Sequence, residues 1–182
     1  SQEIYDGSLT RYLLYPVSYF RVKYCAKLAQ ATVYLAQMVL VVGLFLLIFK
    51  QPFQLSVRSA AMVLPVFFLS GLLVFALIAG LETIAFWADN VWSILVFNRM
   101  TTNLLGGGLL PLAFFPEQVR KALEWLPWVR LISFPIRTLL GQVGTEEWLR
   151  GMALTAAWAL VFAALAFWLW RKGIKSYAGV GI

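Results

Sequence analysis

The sequence contains no histidine. That absence removes several mechanisms at once: hydrolase triads with an imidazole base, zinc sites built on His, and His-ligated haem. There is one cysteine, Cys25, so no internal disulfide can form and sulfur says nothing about redox compartment. Cys25 reads as a small apolar residue of a helix, with palmitoylation beside a membrane as the other reading. Charge is also scarce. Only 13% of the 182 residues are Asp, Glu, Lys or Arg, where a soluble domain carries roughly a quarter. The sequence has no GxSxG, no HExxH, no glycine loop ending in Lys and Ser or Thr, and no carboxylate cluster with metal-ligand spacing. No catalytic residue, metal ligand or bound cofactor is therefore assigned to this chain.

What fills the chain is apolar. Hydrophobic residues make up 62% of it, and the run from Ser59 to Leu81 carries no charge at all. A helix needs roughly 20 apolar residues to cross a hydrocarbon core of about 30 Å, and this run has that length. Pro65, Gly71 and Gly80 lie inside it, which a membrane helix tolerates when neighbouring groups satisfy the freed backbone. The predicted fold class is an all-α, polytopic integral membrane protein read as a single membrane domain over residues 1–182. Eight Trp and seven Tyr suit rings anchored at both interfaces. The net charge of +7 is spread in small clusters flanking apolar runs, which fits membrane topology better than a nucleic-acid surface.

Four spans are expected, over 28–49, 59–81, 91–114 and 151–170. Residues 1–27 mix Ile4, Leu9, Leu13, Leu14 and Val17 with Glu3, Asp6, Arg11 and Arg21 at loose helical spacing. They predict an amphipathic helix at the interface, with Asp6 or Ser8 as its N-cap and Pro16 ending or kinking it. The third span is expected to be irregular. It contains Arg99 and Asn103, and Gly106, Gly107 and Gly108 favour a break or a close helix contact near its far end. Residues 115–150 hold too many charges for a lipid-facing crossing and predict two short helices, divided by Pro127 and Pro135, on or dipping into the membrane surface. Residues 171–182 form a tail that opens with Arg171, Lys172 and Lys175. With Arg21, Lys23 and Lys27 beside the first span, the positive-inside tendency places both ends in the cytoplasm and 115–150 outside. Arg120, Lys121, Arg130, Arg137 and Arg150 in that outer segment count against this placement, and Glu117, Glu124, Glu146 and Glu147 balance them in part.

Ionisable groups in or beside a span are costly and mark candidate sites. Glu82, Asp89 and Arg99 qualify. One reading has Arg99 snorkelling or pairing with a carboxylate of the turn before it; another makes the three an intramembrane polar site. The aromatic residues Trp125, Trp128, Phe167, Trp168 and Trp170 most simply anchor interfaces.

Five stretches in order carry a further likeness: IYDGSLTRYLLYPVSYF, AFW at the turn between spans, GLLPLAFFP, LPWVRLISFPIRTLLGQ, and a final span ending in RKGIKSYAGVG. Together they resemble the permease subunits of the type 2 ATP-binding-cassette transporter family, in its bacterial export branch. The resemblance implies a six-span permease whose cytoplasmic coupling helix docks on a separate ATPase subunit. On that likeness the four spans here correspond to the last four, the chain beginning at Ser1 is a fragment lacking the first two, and residues 115–145 correspond to short outer-face helices. The resemblance also implies ATP and Mg on the partner ATPase, a second permease subunit that is either identical or homologous, and an inner-membrane location. Ile4, Gly7, Leu9, Leu13, Leu14 and Pro16 match the coupling region. Tyr5, Asp6, Arg11 and Tyr12 add charge and aromatic surface to the same ATPase contact. Two rivals remain at this stage. One is a membrane-embedded lipid-modifying enzyme using Glu82, Asp89 and Arg99; the other is a membrane anchor or assembly protein without transport.

Overall fold

In the computed structural model the described residues are 19–49, 56–88 and 90–176, and they form helices and turns with no strand among them. They fall into two compact units. One contains α1, Tyr19–Phe49; the other contains everything from residue 56 to 176.

Helix α1 has 31 residues and is therefore roughly 46 Å long. It contains the whole of the expected 28–49 span and begins earlier, at Tyr19. Large apolar side chains including Leu40, Leu47 and Ile48 are exposed on it. At its start Lys23 Nζ lies 5.6 Å from the Tyr19 ring centroid, one turn away.

The second unit is built on two long helices, α2 (Val57–Thr83) and α7 (Thr145–Ser176). Both lie in segments long and apolar enough to cross a membrane, Val57–Phe86 and Thr145–Lys175, and these are the two such segments among the described residues. Ser56 caps α2, its Oγ accepting from Ser59 N at 3.4 Å. The buried positions of α2 follow a helical stripe of mostly small or β-branched residues: Ser59, Val63, Val66, Ser70, Leu73, Ala76, Leu77, Gly80 and Thr83. This stripe faces α7, whose own buried positions Gly151, Thr155, Ala166 and Gly173 are also small. In lipid there is little hydrophobic gain from bringing two helices together, so close packing of small residues carries the association. Gly80 lies against Ala166, where an added Cβ would stand 3.7 Å from the Ala166 Cβ. The opposite faces expose Leu64, Phe68, Leu160 and Val161, apolar groups that lipid accommodates at no cost.

Pro65 inside α2 removes one helical hydrogen bond. The Met62 carbonyl, three residues before it, accepts from Trp148 Nε1 of α7 at 3.1 Å. This bond ties the two long helices together beside the proline, while the carbonyl that Pro65 leaves without its helical donor is that of Ala61, one residue earlier.

A 3-10 turn (Ile84–Phe86) leads to α3 (Trp92–Leu105). Asn90 Oδ1 accepts from Trp92 N at 3.0 Å and satisfies one of the first amides of α3. With 14 residues α3 is roughly 21 Å long and covers only the first part of the expected 91–114 span. The glycine run ends it. Gly108 N and Leu109 N both donate to Asn103 O, at 2.8 and 2.9 Å, and Gly107 has φ +86°, a conformation that glycine adopts without strain. After a 3-10 turn at Leu112–Phe114 come α4 (Glu117–Leu123), α5 (Pro127–Leu131) and α6 (Ser133–Leu139).

The expectation of two short helices in 115–150 is therefore corrected to three, with α7 starting at Thr145. Pro127 opens α5, as prolines do at a first helical position. Pro135 sits in the first turn of α6, where its missing N–H has no intrahelical partner to lose, and so it does not divide the segment.

Candidate functional site

The three short helices form a cap, of which α5 and α6 pack on the long helices, and its centre is Phe134. This ring is 1% exposed and packs with Val66, Val143, Trp148 and Met152. Gly151 of α7 lies directly beneath it, so close that a Cβ there would overlap the ring. On its other side the Arg130 guanidinium lies 5.1 Å from the ring centroid. Polar bonds tie the cap to the long helices. Ser70 Oγ of α2 donates to Arg130 O at 2.8 Å, Trp158 Nε1 of α7 to Trp125 O at 2.8 Å, and Arg58 Nη2 to Thr145 Oγ1 at 2.6 Å. Arg137 of α6 pairs with Glu147 of α7 at 2.9 Å.

The glycine run of α3 docks on the same cap. Gly106 O accepts from both Ser133 N (3.1 Å) and Ser133 Oγ (2.6 Å), and an added Cβ at Gly106 would stand 2.8 Å from the Trp128 carbonyl oxygen. The run is thus both a helix end and a close contact.

Beside this core, α4, α5 and the start of α7 line a half-open cavity of about 300 Å³, bounded by Lys121, Glu124, Trp125, Arg130, Arg150 and Leu154. Arg130 is the buried charge of the group, 6% exposed. Its Nη2 donates to Glu124 O, while its Nε is buried with no hydrogen-bond partner among the described residues. Burial pushes the Arg130 guanidinium below its ordinary pKa; Glu124 opposes this most, and Arg150 adds to it. Arginine nevertheless keeps its charge, so the group is a fixed cation. Sequence reasoning missed this role. Arg130 was one charge among many in 115–150, and the available signal was its place in LPWVRLISFP, with apolar residues on both sides and a proline at each end.

The residues singled out from sequence are placed as follows. Glu82 is half-buried in the last turn of α2, and Arg99 is exposed on α3. No ion pair joins the two, and Asp89 lies outside the described residues. The coupling positions Ile4, Tyr5, Asp6, Gly7, Leu9, Arg11, Tyr12, Leu13, Leu14 and Pro16 also lie outside them.

Among the aromatic residues, Trp125, Phe167 and Trp168 are exposed. Trp128 is half-buried, with its Nε1 enclosed in the cap, and Trp170 packs edge-on against Phe86 at 5.5 Å, so both are packing residues rather than simple anchors. The basic end of α7 lies over rings one turn back, with Arg171 4.6 Å from the Phe167 centroid and Lys172 4.3 Å from that of Trp168. Among the described residues no three His, Cys, Asp or Glu side chains gather closely enough to hold a metal ion.

Searches among curated proteins and among solved structures find no match. The family described as ABC-2 family transporter protein does match, over residues 1–181. With its all-helical architecture and two long apolar helices, the chain belongs to the ABC-2 transporter family and is a transmembrane permease.

Proposed function

We propose that the protein is the permease subunit of an ATP-binding-cassette exporter of the bacterial branch, which contributes the translocation path and is driven by a separate ATPase subunit. The observation that carries this reading is the family match over residues 1–181, which takes in the whole Ile4–Pro16 segment as well as the spans. On this reading the partner binds ATP and Mg, its closure moves the amphipathic segment, and that motion biases the spans between two arrangements. Two permease subunits, identical or homologous, flank the path. On this reading residues 28–49, 59–81, 91–114 and 151–170 cross the inner membrane, the third as an irregular crossing of which α3 makes only the first part, and both ends of the chain are cytoplasmic.

Within this scheme the α2–α7 pair is a rigid unit. Small residues along its seam and the Trp148 to Met62 bond hold the two helices at fixed spacing, so a push on one is delivered to the other. Tyr5, Asp6, Gly7, Arg11 and Tyr12 are the ATPase contacts. Charge reversal at Asp6 and Arg11 together is expected to weaken association with the ATPase and to abolish transport while leaving the helical content of the permease unchanged. Undiminished association and transport in that variant would sink the assignment.

A further inference from the structure

We infer that the cavity between α4, α5 and the start of α7 is a binding site for a phosphate-bearing anion, of the kind a glycerophospholipid headgroup presents at the membrane surface. The first support is its depth. Arg150 and Leu154 lie on α7 on either side of Gly151, where the uncharged stretch 151–170 begins, so the cavity stands where chain polarity changes from interfacial to hydrocarbon. Trp125, 62% exposed at the cavity wall, belongs at the same level.

The second support is charge. Three cations, Lys121, Arg130 and Arg150, line the cavity with one carboxylate, Glu124. Lys121 is engaged by Glu117 at 2.7 Å. Arg150 has no hydrogen bond or ion pair among the described residues, and Arg130 gives its Nη2 to a backbone carbonyl rather than to a carboxylate. Two guanidinium groups against one carboxylate leave a net positive site, and guanidinium is the side chain best matched to phosphate oxygens.

The third support is construction. Arg130 is held from three sides: by its bond to Glu124 O, by the Phe134 ring, and by Ser70 Oγ on its own carbonyl. A buried cation fixed in this way cannot turn to solvent, and its Nε is still without a partner. Such a group is expensive to keep unless an anion offsets it. The volume of about 300 Å³ admits a phosphate and the first atoms attached to it. Glu124 at the wall can accept from a hydroxyl, so a phosphoglycerol group satisfies both signs of charge. The inference stands independently of ATPase coupling, because it uses none of the coupling residues.

The test is a binding titration on the purified full chain in neutral detergent, read by native mass spectrometry. The probes are short-chain phosphatidylglycerol, short-chain phosphatidylcholine and inorganic phosphate, applied to wild type, Arg130→Gln and Arg150→Gln. Arg150 is exposed and its replacement leaves the cap intact, so that variant remains informative if Arg130→Gln fails to fold. The expected result is binding of phosphatidylglycerol in preference to phosphatidylcholine, weakened about tenfold by Arg150→Gln. Phosphatidylglycerol binding without inorganic phosphate binding identifies a lipid headgroup as the source. Binding of inorganic phosphate with the same Arg150 dependence supports the anion site and identifies free phosphate groups as its ligand. Equal binding of the two lipids, unchanged in Arg150→Gln, overturns the inference.

Discussion

Substituting Gly151 with Ala places a methyl group where the Phe134 ring already lies. The ring has little room to yield. It is 1% exposed, it is bounded by Val66, Val143, Trp148 and Met152, and the Arg130 guanidinium lies 5.1 Å from its centroid. Relief must come from forcing α6 away from α7 or the ring off its rotamer, and overpacking of this kind costs about 1–3 kcal/mol. Ala is the better helix former by about 1 kcal/mol, so the net loss at Gly151 is about 0–2 kcal/mol.

Gly71 provides the control. It lies inside α2 with nothing within 4 Å of an added Cβ, so Gly71→Ala is expected to be neutral or to stabilise by up to about 1 kcal/mol. The same chemical change therefore carries opposite signs at two glycines of the membrane unit. Reversible unfolding in mixed micelles, followed by circular dichroism, measures both. A second substitution, Phe134→Leu, shortens the group that clashes, and in the Gly151→Ala background it should cost less than it does alone, a coupling of about 0.5 kcal/mol or more. If Gly151→Ala behaves like Gly71→Ala, or if the two changes at 134 and 151 simply add, the packing of the cap on α7 is not as described.

Trp148→Phe keeps the ring but removes the donor to Met62 O; a loss of about 0.6–1.5 kcal/mol is expected by the same unfolding assay, larger than for Trp168→Phe on the exposed face. Gly107→Ala puts a side chain at φ +86° and against Ser133 Oγ, and is expected to cost about 1–2 kcal/mol from backbone strain alone, with Ser133→Ala removing only the steric part. Glu147→Gln breaks an ion pair whose side chains are each about one-third exposed; raising the salt concentration should change wild-type stability as little as this substitution does, by less than about 1 kcal/mol in both cases.

The parts of this architecture visible in the sequence are those set by local chemistry. The uncharged runs 59–81 and 151–170 became α2 and α7 because helix is the structure that satisfies every backbone group of such a run in lipid. The glycine run at 106–108 announced a break, and α3 ends there. The helix boundaries were harder to read. Both long helices run past their uncharged cores, α2 to take in Arg58 and Glu82, and α7 because Thr145, Glu146 and Glu147 suit a first helical turn and Lys175 a last one.

The cap was not legible in the same way. Three helices of five to seven residues have too little periodicity to separate from a loop, and Pro135 looked like a divider when its place in a first turn made it compatible with α6. Arg130 and Gly151 owe their importance to contacts with Phe134, which is close to Arg130 in sequence and far from Gly151, and no local pattern announces the second of these. The two readings of Glu82, Asp89 and Arg99, an Arg99 that snorkels or pairs with a carboxylate of the turn and a polar site of all three, depended on how the turn at 84–91 folds. Glu82 and Arg99 are described, Arg99 exposed on α3, and Asp89 lies outside the described residues.

The proposed function has ATP hydrolysis on a partner driving this permease through its N-terminal segment. Its most direct test is to assemble the full chain with the ATPase subunit in lipid nanodiscs and to measure both complex formation and ATP hydrolysis, with the segment from Glu3 to Pro16 intact and altered. The expected result is a stable complex whose hydrolysis rate depends on the permease and falls when that segment is changed. A permease that remains apart from the ATPase, or a hydrolysis rate indifferent to the segment, would contradict it.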